Sequence, residues 1–264
     1  AGRWAEAWTA YREVLDDPST PGDIVVDAAL GAARAADQTS GPTEAAAVLK
    51  LGLSLTESPA QRLPLLASRI QALRRAGDEA GLRDASLERD TIAEQVPNIA
   101  WSAFLESAGQ SRSQGAPDDA ANLLNKALDL PLGTEQRARV LVELGGALLD
   151  MSDLDGAGQR FSQAAKLGND DPVISFHAGM GKAEILRRSG NPADAAALLG
   201  ALTAPDDEED HALLRARAQA MTEAGDPEAE ATWQELAQAA EADPGTRYTA
   251  LRGRADALVS QDKP

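Results

Sequence analysis

Seven turn residues recur through the 264-residue chain at Gly2, Gly41, Gly77, Gly115, Ser152, Gly190 and Gly225, separated by 39, 36, 38, 37, 38 and 35 residues. An interval of this length, held nearly constant, marks an array of similar supersecondary units. No such unit buries its apolar face alone, so each must stack on a neighbour. An alanine stands five residues after five of these turns (Ala7, Ala46, Ala120, Ala157, Ala195), and another small residue stands seven before four of them (Ala108, Gly145, Ala183, Ala218). Small residues on both sides of a turn let two helices approach closely. Each unit is read as a first helix, a tight turn and a second helix.

The stretch from Gly115 to Pro131, GAPDDAANLLNKALDLP, shows one second helix with its punctuation. Gly115 ends the preceding helix, Pro117 fits a first turn where its missing N–H is not needed, and Pro131 closes the segment. Between them Ala120, Leu123, Leu124, Ala127 and Leu128 form a single apolar stripe at helical spacing. Because a proline inside a helix costs roughly 3 kcal/mol, the prolines test the reading. Pro42, Pro117, Pro192 and Pro227 are expected to open second helices, with Asn191 and Asp226 as caps. Pro18, Pro21, Pro59, Pro97, Pro131, Pro172, Pro205 and Pro244 are expected between units, and Pro64 in a first turn. The chain carries no strand-like alternation bounded by hairpin turns, so the fold class expected is all-α.

Composition agrees, and it narrows the partners. Hydrophobic residues make up 43% of the chain and aromatics only 3%, a mixture of alanine and leucine that favours close-packed helices. Against 42 acidic residues stand 25 basic ones, a net charge of -17 that repels nucleic-acid phosphates and anionic lipid. With no cysteine there is no disulfide, thiolate nucleophile or Cys-based zinc site, and the compartment is left open between cytoplasm and periplasm or export. No 18-residue apolar run is present, and the N-terminus AGRWAEAW lacks the charged start and apolar block of a signal peptide.

The segment Leu141 to Pro172 resembles a tetratricopeptide repeat. Leu141, Leu144-Gly145 and Leu148 stand where that family has W-x2-L-G-x2-Y, and Ala157-x3-Phe161 matches its A-x3-F, with Pro172 closing. Ala120-x3-Leu124 with Pro131, Ala195-x3-Leu199 with Pro205, and Ala7-x3-Tyr11 with Pro18 repeat the second-helix half, so the resemblance spans nearly the whole chain. The period is nearer 37 than the family's 34, and Leu82 and Glu230 replace the expected alanine. The resemblance implies an α-solenoid, a right-handed superhelix of helical hairpins, as one domain over 1–264. Its parts would be a half repeat 1–18, repeats at about 22–58, 61–97, 98–131, 134–171, 172–205 and 208–244, and a half repeat 245–264. Such a chain begins and stops in mid-unit, which is expected of an excerpt from a longer array or of ends covered by something else.

Catalytic groups are sparse. His177 and His211, near the starts of first helices in successive repeats, are read as satisfied or exposed rather than as a site, and two ligands do not make a metal centre. Gly181-Lys182 lacks the glycine at Phe176 and the hydroxyl at Ala183 that a phosphate loop needs. The acidic run Asp206 to Asp210 reads as a helix start favoured by the helix dipole, and Trp101, Phe104 and Trp233 as core. No cofactor is expected and no enzymatic activity.

In the tetratricopeptide family the first helices line the concave binding surface. The resemblance therefore draws attention to Arg74, Arg75, Arg112, Arg139, Arg187, Arg188, Arg215 and Arg252, which fall on first helices. Guanidinium groups in a row there would clamp carboxylates of a partner peptide. Five of them, Arg74, Arg75, Arg112, Arg187 and Arg188, also fall in last turns, where positive charge favours the helix dipole without any ligand, and this reading outweighs the other. The function expected is a non-catalytic protein- or peptide-binding scaffold. The alternative is a sensor or spacer segment of a larger secretion, envelope-assembly or regulatory protein. On either reading, the uncapped terminal helices offer a route to end-to-end self-association.

Overall fold

The computed structural model describes residues 3–240 and 243–261, and the turn expected at Gly2 lies outside them. Among the described residues there are fourteen α-helices and no strand: α1 Trp4–Asp16, α2 Gly22–Thr39, α3 Pro42–Ser54, α4 Pro59–Ala76, α5 Glu79–Gln95, α6 Pro97–Ser113, α7 Pro117–Asp129, α8 Thr134–Asp150, α9 Leu154–Leu167, α10 Pro172–Arg188, α11 Pro192–Gly200, α12 Asp207–Ala224, α13 Ala229–Ala239 and α14 Pro244–Gln261. None of these helices is long and apolar enough to cross a membrane. The residues group into two compact units: Ala1–Gln110 with Asn125–Leu132, and Ser111–Leu124 with Gly133–Pro264.

Each of the six described turns lies where the periodicity puts it. Gly41, Gly77, Gly115, Gly190 and Gly225 have φ between 70° and 93°, and Ser152, the one non-glycine with positive φ among the described residues, has 63°. The left-handed conformation reverses the chain in a single residue. At Gly77 and Gly225 the turn amide donates back to the last carbonyls of the helix it ends, from Arg74 and Leu73 and from Met221 and Thr222 respectively. Ser152 makes the same reversal with a Cβ in the way, a strain of roughly 1–2 kcal/mol that the flanking hairpin must hold.

The prolines correct the expected boundaries. Pro59, Pro97, Pro172 and Pro244 stand as the first residues of α4, α6, α10 and α14 rather than between units, because the first helical position has no use for an N–H. Pro64 sits inside α4, past its first turn, since that helix already begins at Pro59. Pro227 does not open a helix. Asp226 Oδ1 accepts the Glu228 N–H at 2.8 Å, the chain turns once more, and α13 begins at Ala229. Asn191 precedes α11 without a capping bond from its side chain, whereas Asp78, Asp153, Asp171 and Asp206 do cap α5, α9, α10 and α12.

In the first unit the core is built from alanines and leucines of α2, α3 and α4, with Ala29, Ala32, Ala35, Leu49, Leu65 and Leu66 at 1% exposure or less. One charged side chain joins it. Arg89 of α5 is 3% exposed, lies over the Phe104 ring at 5.0 Å and donates to Asp90 Oδ1 from Nε and Nη2. In the second unit the interlock turns on Phe161 of α9. A Cβ placed on Gly145 of α8 would fall 2.7 Å from that ring, and one on Gly181 of α10 only 2.2 Å. Two glycines thus admit one aromatic ring between successive hairpins, and Trp233 of α13 meets Gly253 of α14 the same way at 2.5 Å.

Candidate interaction surface

In the second unit the first helices α8 and α10, and likewise α12 and α14, lie side by side, as do α2 and α4 in the first unit. Their arginines are spent largely on this stacking. Arg75 Nη1 lies 2.7 Å from Asp37 Oδ2, joining α4 to α2. From the end of α6, Arg112 reaches α8 twice, with Nε 2.8 Å from Asp150 Oδ2 and Nη1 3.2 Å from Glu143 Oε2. Arg187 of α10 forks onto both oxygens of Glu184 at 2.8 Å and turns its third nitrogen to Glu223 Oε1 of α12, also at 2.8 Å. Arg188 donates to Glu184 Oε1 at 2.6 Å and to the Leu149 carbonyl near the end of α8 at 2.7 Å. Arg139 pairs with Glu135 within its own helix.

The pairing has an electrostatic signature. Hydrogen bonds from Arg187, and secondarily from Arg188, hold the Glu184 carboxyl below its ordinary range against the opposing effect of burial. The same bonds from Glu184 raise Arg187. Three guanidinium–carboxylate contacts between first helices therefore stitch neighbouring repeats, and their partners stand one repeat apart: Asp37 is 38 residues from Arg75, Asp150 is 38 from Arg112, and Glu223 is 36 from Arg187. Lys126 of α7 follows the rule with Asp90 of α5, 36 residues away. The arginine row was legible in the sequence. Its carboxylate partners are marked there only by an opposite charge one period away.

Of the remaining candidates, Arg74 is half-buried in the last turn of α4, and Arg215 is exposed on α12. Arg215 shares a helical stripe with Gln219 and Thr222, at spacings of four and seven residues. Gln219 and Thr222 line an open cleft of about 380 Å3 together with Trp233, Thr249, Arg252 and Asp256. The Trp233 indole N–H donates to Thr222 Oγ1 at 3.0 Å, which fixes the ring at the base of the cleft. Neither histidine belongs to it. His177 Nε2 lies 2.9 Å from Glu209 Oε1, a bond from α10 to α12, and among the described residues no group of three or more His, Asp and Glu side chains is placed to hold a metal ion.

No family model matches the chain, and no curated protein matches its sequence. Solved structures do match. The human IFIT1 dimer with PPP-AAAA aligns at a TM-score of 0.54 over 97% of this chain and 59% of that one, with 15% identity. The fold is that of a tetratricopeptide-repeat protein. Two other structures described as tetratricopeptide-repeat proteins align more loosely. The C-terminal part of one from Cytophaga hutchinsonii gives a TM-score of 0.46 at 12% identity, covering 98% of this chain and 95% of that one. YrrB gives 0.41 at 13% identity, covering 95% and 98%. At 15% identity the likeness to IFIT1 shows the fold alone, and the site must be argued from this chain's own residues.

Proposed function

We propose that the protein is a non-catalytic scaffold that docks a peptide segment of a protein partner on the first helices of its second unit. The observation that carries this reading is the open cleft over Trp233, an apolar floor with polar and charged groups around it, where a short segment finds both burial and orientation. Arg215 and Arg252 are the basic side chains proposed to meet the partner. Both are exposed, whereas Arg75, Arg112, Arg139, Arg187 and Arg188 have their charge balanced by carboxylates of the scaffold. The partner is a protein rather than a nucleic acid. IFIT1 is seen with PPP-AAAA, but a chain of net charge -17 repels a polyanion.

The test is a peptide selected from a random display library against the purified protein, with its contacts mapped by amide chemical shifts. Shifts confined to α12 and α14 around Gln219, Thr222, Thr249 and Arg252, weakened by Arg252→Glu, support the proposal. Shifts on the outer faces of α9, α11 and α13 would overturn it.

A further inference from the structure

A second cleft, of about 260 Å3, lies in the first unit between α3, α4 and the start of α5. It differs from the cleft over Trp233 in its charge. Lys50 of α3 and Arg69 of α4 both line it, together with Thr43, Leu73 and Asp78. Arg69 Nε is buried there without a hydrogen-bond partner, and no ion pair to Lys50 or Arg69 is found among the described residues. Asp78, the one carboxylate in the lining, is engaged elsewhere: its Oδ1 accepts the Gly81 N–H at 2.9 Å as the cap of α5. Elsewhere in this chain Arg75, Arg112 and Arg187 on first helices find carboxylates one repeat away. Here two cations share one cavity with a single carboxylate, that of Asp78, and neither forms an ion pair with it, in a protein with 42 acidic residues to draw on. Like charges brought together in a partly dry site are unfavourable unless something neutralises them.

The repeat register strengthens the point. Nine residues after their turns, three of the other hairpins place Leu124, Phe161 and Leu199, all buried at 3% or less, whereas Ser86 and Gln234 stand there after Gly77 and Gly225. After Gly41 the same position holds Lys50, exposed at the edge of the cavity. Thr43 adds a hydroxyl from the first turn of α3.

We infer that the cleft between α3 and α4 is a binding site for a small oxyanion, a phosphate or a carboxylate, held by Lys50 and Arg69. A bidentate guanidinium and a mobile ammonium are the donors such a group takes, and the buried Nε of Arg69 supplies a hydrogen bond now unmade. The site is separate from the docking face proposed above, and either stands without the other.

Amide spectra of the full chain, titrated in separate arms with inorganic phosphate and with succinate, test this. The expected result is saturable shifts grouped over residues 43–50 and 69–78. Lys50→Ala and Arg69→Ala should each weaken binding about tenfold or more, the scale of one charge-assisted hydrogen bond. Lys166→Ala, an exposed lysine of the second unit, should leave it unchanged. Lys50→Leu, which introduces the apolar side chain found there in three other hairpins, should abolish the shifts while the helical circular dichroism is kept. Tighter phosphate binding assigns the group to a phosphate source, and tighter succinate binding to a carboxylate source. Equal shifts in the parent and in Lys50→Leu, or no saturation with either anion, would overturn the assignment.

Discussion

Replacing Gly181 by alanine is a small change with a large expected cost, because of where the new methyl would go. Its Cβ would sit 2.2, 2.4 and 2.5 Å from three atoms of the Phe161 ring, far inside ordinary van der Waals contact. The ring has no room to yield. It is 3% exposed, and on its other side Gly145 already stands so close that a Cβ there would be 2.7 Å away. Overpacking of this kind costs about 1–3 kcal/mol, and the doubly confined ring places Gly181→Ala near the upper end. Alanine recovers about 1 kcal/mol through its better helix propensity, leaving a net loss of about 2 kcal/mol. Phe161→Leu alone should cost about 1 kcal/mol in lost packing. In the double variant leucine vacates the space the methyl needs while the helix-propensity gain remains, so the total should fall to about 0 kcal/mol rather than the additive value of about 3. Urea unfolding followed by circular dichroism at 222 nm measures all three. Additivity within about 0.5 kcal/mol would refute the interlock of α8, α9 and α10 through this ring.

Ser152→Gly should stabilise the protein by about 1 kcal/mol, since it relieves the left-handed strain at φ 63° at a smaller cost in unfolded-state entropy; thermal unfolding reads the gain. Asp171→Ala removes the side chain that accepts from the Val173 and Ile174 N–H groups at 2.9 and 3.2 Å and should cost about 1 kcal/mol in the same assay. Glu184 titrates lower folded than its ordinary value of 4.5, so its stabilisation is fully present above that value and is lost as the pH falls through the folded pKa. The parent should therefore be more stable than Glu184→Gln at pH 7, and the difference should shrink on acidification. A difference that grows toward low pH would contradict the pairing.

The repeat was legible because it depends on local chemistry. A left-handed turn selects glycine, a stacked helix selects alanine at the close contact, and a helix interior rejects proline, so Gly41 to Gly225, Gly145 and Ala183 could be read without neighbours. The electrostatics could not be read in that way. Arg187 looks like a last-turn cation on its own helix, and only the packing of α10 beside α12 shows that Glu223 takes it up. Arg89 is a sharper case. Its charge marks it as exposed, yet a carboxylate beside it and an aromatic face beneath it hold it in the core. Lys50 differs for the opposite reason: three other hairpins hold a buried leucine or phenylalanine at its place in the repeat, and the cavity it borders exists only once the hairpins are stacked.

The scaffold reading rests most directly on where a bound peptide touches the protein. Amide shift mapping with a library-selected peptide should perturb Gln219 and Thr222 on α12 and Thr249 and Arg252 on α14, and Arg252→Glu should weaken that peptide's binding while leaving helicity unchanged. Perturbations confined to the outer faces of the second helices, with affinity indifferent to Arg252, would contradict it.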